Sequence, residues 1–149
     1  MNHLKTAQSH IKAAASMVSI ICDSLEENHQ PAAYMLAYEL KLCGESIDIA
    51  LHGSKPSEEL WIDVKSMTNK NINSVNMITL LDEYTGCRLS SISASLTIMD
   101  TPYLDSGERP NQVVGSALFE ACQWIELAEY LLTESYTHHT EEVVFLAVA

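Results

Sequence analysis

The segment "LKTAQSHIKAAASMVSIICDSLEE" (residues 4–27) carries an apolar residue at alternating steps of three and four positions. Because an α-helix turns once in 3.6 residues, this spacing places one apolar stripe along a single helical face. The stripe consists of Leu4, Ala7, Ile11, Ala14, Val18, Ile21 and Leu25. A second strip of Ala13, Met17 and Ile20 runs beside it. The segment therefore predicts a long helix with a wide buried face.

The sequence "ENHQP" (residues 27–31) interrupts this helix, and a second helical pattern follows it. Pro31 suits the first turn of the new helix, and Gly53 suits its end. Its apolar positions are Met35, Leu36, Tyr38, Leu40, Leu42, Cys43, Ile47, Ile49 and Ala50. Two helices joined by so short a connection are typical of an antiparallel helical hairpin, which we predict at residues 4–52.

A short third helix is predicted at residues 57–67, with Ser57 as its N-cap and two glutamates at the positive end of the helix dipole. The second helical half, residues 74–135, begins with the stretch whose secondary structure is least clear from the sequence. Residues 87–100 combine a helical apolar face with strand-like alternation, so helix and strand both stay open there. We favour a helix, because every other long segment is helical and a single strand has no partner to pair with. The glycine at position 86 is compatible with a break in this segment.

The longest helix of the second half is predicted at residues 112–135, after a loop at residues 100–111 that contains two prolines and a glycine. Its apolar stripe consists of Val114, Leu118, Ala121, Ile125, Ala128 and Leu132. The C-terminal apolar segment, residues 140–149, is expected to be a short helix or an extended end. Together these segments predict an all-α, single-domain bundle of five to six helices, built on two antiparallel helical hairpins.

The charge of the chain is unbalanced: 20 Asp and Glu residues face 8 Lys and Arg residues, for a net charge of −12. No Lys or Arg follows Arg109, whereas six glutamates do. Such a surface repels phosphate, so direct binding to nucleic acid or to an anionic membrane is not expected. A partner protein with a basic surface would instead be attracted.

The four cysteines, Cys22, Cys43, Cys87 and Cys122, are isolated from one another and form no CxxC motif. This pattern argues against a zinc ribbon or a thioredoxin-type redox site. All four lie in apolar surroundings, so we predict reduced core residues in a cytoplasmic protein. Neither a signal peptide nor a membrane-spanning segment is expected.

The sequence "THHTEE" (residues 137–142) combines two histidines with two glutamates. It lacks the third and fourth ligands that a zinc site requires. Its threonines and glutamates fit the start of a terminal helix, where they would cap the backbone and suit the helix dipole. No cofactor is therefore predicted.

Carboxylate pairs at positions i and i+3 resemble the ExxE and ExxD signature of all-α nucleotide pyrophosphatases, in which facing helices hold Mg²⁺. In this chain the pairs are Asp23 with Glu26, Glu45 with Asp48, and Glu126 with Glu129. The first two pairs lie about 18 Å apart along the predicted hairpin, so they cannot hold one ion. The resemblance therefore implies an alternative metal site made of Glu45, Asp48, Glu126 and Glu129.

Two aromatic residues of the helix at residues 112–135 point away from its apolar stripe. At 100° per residue, Phe119 and Tyr130 lie about 140–160° from the centre of the stripe. Aromatic side chains anchor protein interfaces, and carboxylates steer a basic partner. The predicted partner-binding residues are therefore Phe119, Glu120, Gln123, Glu126, Tyr130 and Glu134. In the alternative interpretation the helix is central in the bundle and both of its faces are buried.

The sequence contains no nucleophile motif, no Gly-rich phosphate loop and no Walker motif. We therefore predict a small acidic, non-enzymatic protein that acts by protein–protein interaction, as an inhibitor or adaptor. One alternative is a nucleic-acid mimic, similar to phage-encoded inhibitors of bacterial CRISPR-like defence complexes, in which carboxylates replace phosphates. A second alternative is the Mg²⁺-dependent nucleotide hydrolase. The expected partner is a protein with a basic surface, and self-association stays open.

Overall fold

The computed structural model describes residues 2–68, 74–136 and 143–146, and helices dominate them. The five α-helices in these residues are α1 (Asn2–Ile21), α2 (Gln30–His52), α3 (Glu58–Thr68), α4 (Cys87–Leu104) and α5 (Arg109–Tyr136). A 3-10 turn (Cys22–Ser24) extends α1, and a π-helix (Thr79–Gly86) leads directly into α4. The all-α class predicted from the sequence is thereby confirmed.

Two short strands pair outside the helices. The first, β1 (Ser74–Asn76), runs antiparallel to β2 (Val143–Leu146). The sequence predicts a short helix or an extended end at residues 140–149, and the described part of that segment is extended. The histidine and glutamate motif at residues 137–142, with the capping role predicted for it, lies outside the described residues.

The segment at residues 87–100 is helical, as the sequence favours, and the chain has no break at Gly86, where the sequence is compatible with one. Gly86 has right-handed helical backbone angles, with φ −60° and ψ −44°. The π-helix passes through it into α4 without a turn. A π-helix inserts an extra residue into a helical turn, which changes the spacing of the apolar positions without ending the helix. The strand-like alternation of residues 87–100 lies after the π-helix and has another origin: Ile92 and Leu96 are buried, whereas Ile98 is an apolar residue on the exposed side of α4.

Helix α4 continues through Pro102, and the loop predicted at residues 100–111 shrinks to four residues. The reason is a tertiary contact in the last turn of α4. Tyr103 is buried there, and its hydroxyl accepts a hydrogen bond from the backbone N–H of Glu26 at 2.9 Å. This contact joins the end of α4 to the connection between α1 and α2, and it outweighs the hydrogen bond that a proline cannot donate.

The predicted apolar stripes of α1, α2 and α5 meet α4 in one main core. A second, smaller cluster joins α2, α3 and the π-helix. Three residues assigned to the core from their spacing are instead exposed: Ile20, Met35 and Tyr38. Met35 and Tyr38 face solvent because α2 uses its other sides to contact α1, α4 and the π-helix, and Ile20 lies on α1 away from the buried stripe of that helix.

The four cysteines are unpaired, and three of them, Cys22, Cys43 and Cys122, are buried. Burial raises the pKa of the Cys22 and Cys43 thiols. Cys87 is exposed at the start of α4, so the prediction that all four belong to the core is wrong for this residue.

Side-chain contacts fix the directions of the neighbouring helices. In the first pair, the side chain of Gln8, near the start of α1, donates a hydrogen bond at 3.0 Å to the carboxylate of Asp48, near the end of α2. In the second pair, α4 and α5 approach closely where Leu104 meets Gly115: a Cβ atom on Gly115 would lie 2.8 Å from the Leu104 backbone nitrogen. Only glycine permits this distance, and the resulting contact holds α5 along α4.

Arg88, in the first turn of α4, forms an ion-pair network with α2 and α3. Its Nη2 donates to Asp63 Oδ1 at 2.6 Å, and its Nε donates to Asp63 Oδ2 at 3.1 Å. Its Nη1 lies 3.4 Å from Glu39 Oε2. The hydroxyl of Tyr84 in the π-helix donates to Asp63 Oδ2 at 2.7 Å. The three charged side chains are only 17–22% exposed, so this network joins four elements at a largely desolvated point.

We expect replacement of Arg88 by Met to lower the free energy of unfolding by about 2–4 kcal/mol, because it leaves two partly buried carboxylates without a cation. Urea denaturation of the variant and the wild type measures the difference. The matched control is Arg109→Met, an exposed arginine at the start of α5, which should change stability by less than about 0.5 kcal/mol. Equal effects of the two substitutions would contradict a structural role for the network.

Candidate functional site

Helix α5 buries one face and exposes the other. Its buried residues include the stripe predicted from the sequence: Val114, Leu118, Ala121, Ile125, Ala128 and Leu132. Through this side α5 packs along α1 and α4. The interpretation in which α5 is central and buried on both faces is therefore wrong.

The exposed side is called the outer face of α5, and it consists of Phe119, Glu120, Gln123, Glu126, Leu127, Tyr130 and Glu134. It brings together all six residues predicted to bind a partner. Three of its side chains are large and apolar: Phe119 is 49% exposed, Leu127 50% and Tyr130 64%. Leu127 is missing from the sequence prediction, although its position three residues before Tyr130 places it on the same side of the helix.

The outer face of α5 is negatively charged as well as apolar. Glu120, Glu126 and Glu134 are exposed on it. Between Arg109 and Tyr136, the ends of α5, the sequence contains no lysine and no further arginine. The face thus combines apolar contact area with a local negative potential.

The four carboxylates of the alternative metal site do not come together. Glu45 accepts hydrogen bonds from the backbone N–H of Ser57 at 2.8 Å and from its hydroxyl at 2.9 Å, so it holds the start of α3. Asp48 accepts a hydrogen bond from Gln8. The other two lie on α5, where Glu129 accepts a bond from α4. Among the described side chains, no group of three or more His, Cys, Asp or Glu residues could hold a metal ion.

A cavity of about 310 Å³ opens beside the outer face, between the π-helix, α4 and α5. Its lining includes Asp82, Cys87, Ser90 and Glu129. Ser90 donates a hydrogen bond to Glu129 Oε2 at 3.1 Å. Burial raises the pKa of the Glu129 carboxyl, and the charge of Glu126 adds to this effect, whereas the bond from Ser90 opposes it. The cavity is lined by more apolar than polar surface, its charged groups are the carboxylates of Asp82 and Glu129, and it has no basic side chain in its lining.

A groove follows the seam between α1 and α2, and we call it the α1–α2 groove. Two adjoining cavities of about 500 and 530 Å³ form it, and they share the side chains of Ala15, Ser16 and Lys41. It extends from Gln8 on α1 to Ile20 at the other end. The sequence analysed by itself did not indicate this groove, because it arises only when α1 and α2 pack together.

Comparisons with protein-family models, with curated proteins and with solved structures find no significant match to this chain. Within the described residues, no helix combines the length and the apolar character needed to cross a membrane. The geometry of the exposed surfaces is thus the basis for a functional proposal.

Glu129 predicts a specific pH dependence of stability. Because burial raises its pKa in the folded state, the folded protein holds this proton more tightly than the unfolded chain does. The contribution to stability is full below about pH 4 and is lost as the pH rises through the folded pKa. Glu129→Gln removes the ionisation and keeps an acceptor for Ser90, so we expect a higher midpoint of thermal unfolding at about pH 7 and no difference at about pH 4.

The control for this experiment is Glu120→Gln, which removes the same charge from an exposed position of the outer face. It should leave the midpoint of thermal unfolding nearly unchanged at both pH values. A Glu129→Gln variant that is less stable than the wild type at neutral pH would contradict the expected cost of ionising Glu129.

Proposed function

We propose that this protein is a non-enzymatic interaction protein, an inhibitor or adaptor, that binds a protein partner through the outer face of α5. The observation that carries the proposal is the presence of three large exposed apolar side chains, Phe119, Leu127 and Tyr130, on one face of one helix. Single exposed apolar residues are ordinary, whereas a group of them rimmed by polar residues is typical of an interaction surface. A few residues supply most of the binding energy of a protein interface, and aromatic residues such as tyrosine are enriched among them.

The charge of the outer face supports a partner with a basic surface. Glu120 and Glu126 flank the apolar residues, and the chain as a whole has a net charge of −12. Complementary charge at the rim of an interface raises the rate of association and disfavours acidic partners. At physiological ionic strength charges are screened beyond about 8 Å, so these glutamates act mainly on a partner already close to α5.

The packing of α5 supports a preformed contact surface. The proposed architecture is a bundle of two antiparallel hairpins that meet through α1 and α5. Contacts of α5 with α1 and α4 along its buried side, including the close approach of Gly115 to Leu104, hold the helix in place. A rigid helix loses little conformational freedom when it binds, which favours affinity.

The two alternative functions have less support. A nucleic-acid mimic would use Glu120 and Glu126 but gives no role to the apolar side chains between them. A Mg²⁺-dependent hydrolase would use Glu45 and Asp48, whose carboxylates instead accept hydrogen bonds from Ser57 and Gln8. We therefore favour binding anchored by Phe119 and Tyr130.

The double substitution Phe119→Ala and Tyr130→Ala should lower the recovery of the partner at least about tenfold, because each truncated anchor costs about 1–2 kcal/mol of binding energy. The measurement is affinity capture from a lysate of the source organism, followed by mass spectrometry. Circular dichroism should show an unchanged helix content, since both side chains are exposed. The matched control is Ile98→Ala, which truncates an exposed apolar residue of α4 and should leave recovery unchanged.

The same capture experiment separates the proposal from the nucleic-acid mimic. A mimic would lose its partner steeply as salt is added and after Glu126→Lys, but would keep it after truncation of Phe119 and Tyr130. That combination of results would contradict an interface anchored by the aromatic residues.

A further inference from the structure

We propose that the cavity beside the outer face of α5 receives a basic side chain, lysine or arginine, of the protein partner. This inference rests on the proposed function, because it names the type of residue that the partner presents next to the outer face. The cavity, here called the acidic cavity, is lined by the π-helix and α4 through Asp82, Cys87 and Ser90 and by α5 through Glu129. Its charge, its lining and its position each favour a basic side chain.

The charge of the acidic cavity has a single sign. Asp82 and Glu129 are its charged groups, and no lysine, arginine or histidine belongs to its lining in the part of the chain that the structure describes. Arg88 follows Cys87 directly, but its guanidinium is held by carboxylates of α2 and α3. In the α1–α2 groove carboxylates lie beside lysines, whereas the acidic cavity attracts cations and repels anions.

Glu129 has a carboxylate that is partly buried without a cation. It accepts a hydrogen bond from the neutral hydroxyl of Ser90 at 3.1 Å, and none of the described side chains forms an ion pair with it. Burial raises the pKa of this carboxyl, and the nearby charge of Glu126 acts in the same direction. An ammonium or guanidinium group beside Glu129 would offset both effects, because an opposite charge favours the ionised form.

The remaining lining suits the aliphatic stem of a basic side chain. Apolar surface exceeds polar surface in the cavity, and Leu132 contributes to it. Lysine and arginine pack their methylene groups against apolar surface while the charged head meets polar groups. A cavity of about 310 Å³ is at the small end of ligand pockets, which suits a single side chain better than a larger molecule.

The acidic cavity adjoins the surface that the proposed function assigns to the partner. Glu129 precedes Tyr130 on α5, and Glu126 of the outer face lies one turn before it. A partner that covers Tyr130 therefore lies beside the cavity. Another wall is the π-helix, a rare conformation that often occurs at functional sites. Continuity with the outer face, together with the single sign of charge, selects a basic residue of the partner as the occupant.

Cys87 is a natural reporter of the charge in the cavity. It belongs to the lining and is exposed, whereas Cys22, Cys43 and Cys122 are buried. The full chain is treated with a methanethiosulfonate that carries an ammonium head group or with one that carries a sulfonate, and each rate is divided by the rate with a small neutral thiol. Both reagents attack the same thiolate, so the ratio of the corrected rates measures the surrounding charge. We expect the ammonium reagent to be favoured at least about tenfold.

Asp82→Asn and Glu129→Gln should each lower this preference about threefold, because each removes one negative charge from the lining. Substitutions on two different walls keep the test valid if one of them alters the fold. The matched control is Glu108→Gln, which removes an exposed carboxylate roughly 30 Å along α5 from Glu129 and should leave the preference unchanged. A preference that is absent from the wild type, or that persists in both variants, would overturn the inference.

Occupation of the cavity is measured by protection of Cys87 against iodoacetamide, a neutral reagent. The probes are the Nα-acetyl methylamides of lysine and arginine at about 1–20 mM, and the norleucine derivative, which lacks the charged head, is the control. At least one basic probe should slow the alkylation of Cys87 at least about twofold, and the norleucine derivative should not. Equal protection by all three compounds, or protection by none, would also overturn the inference.

The proposed function is tested separately, by Phe119→Ala with Tyr130→Ala. A cavity that fails both measurements leaves binding through the outer face intact, with a partner that places no basic side chain there. In the capture experiment Asp82→Asn with Glu129→Gln should lower the recovery of the partner about tenfold, and unchanged recovery would overturn the inference. Recovery that falls with this pair but survives the loss of both aromatic side chains would instead contradict the proposed function.

Discussion

The pairing of Arg88 with Asp63 and Glu39 is the constraint on which the rest of this structure depends. A bidentate guanidinium–carboxylate contact fixes both the distance and the orientation of its partners. Here it sets the start of α4 against α2 and α3, and Tyr84 adds the π-helix to the same point. The position of α4 then determines that of α5, which packs along it.

The same network influences the charge of the surface. Arg88 is one of the eight basic residues of the chain. Its side chain is largely buried, and it offsets the carboxylates of Glu39 and Asp63, which would otherwise be unpaired. The remaining bases are concentrated before α5, and two of them, Lys12 and Lys41, line the α1–α2 groove. Helix α5 carries glutamates and exposed apolar side chains on its outer face. The groove is also lined by the carboxylates of Glu45 and Asp48, so charges of both signs lie together there.

Helical periodicity predicts a large part of this fold. The stripes of α1, α2 and α5 are local patterns, and burial of Ile11, Leu40 and Ile125 follows from them. The N-cap of α3 also follows from local chemistry, since the Ser57 hydroxyl accepts a hydrogen bond from the backbone N–H of Leu60 at 3.2 Å. The direction of Phe119 and Tyr130 required only the 100° turn per residue.

The remaining features depend on contacts between segments distant in the sequence. Pro102 has the pattern of a helix end, and only the contact of Tyr103 with the α1–α2 connection explains why α4 continues. Tyr38 has the spacing of a core residue, but no described helix covers its side of α2. Spacing alone gives no information on such contacts, and for that reason it also gave no indication of the α1–α2 groove.

We propose that the outer face of α5 is the contact surface of this protein. Hydrogen–deuterium exchange of the free chain and of the chain in its complex tests it most directly, because no substitution is needed. We expect amide exchange to slow at residues 119–130 on complex formation, as the docked surface becomes shielded from solvent. Unchanged exchange at residues 119–130, together with slowed exchange confined to α3 and the π-helix, would contradict it.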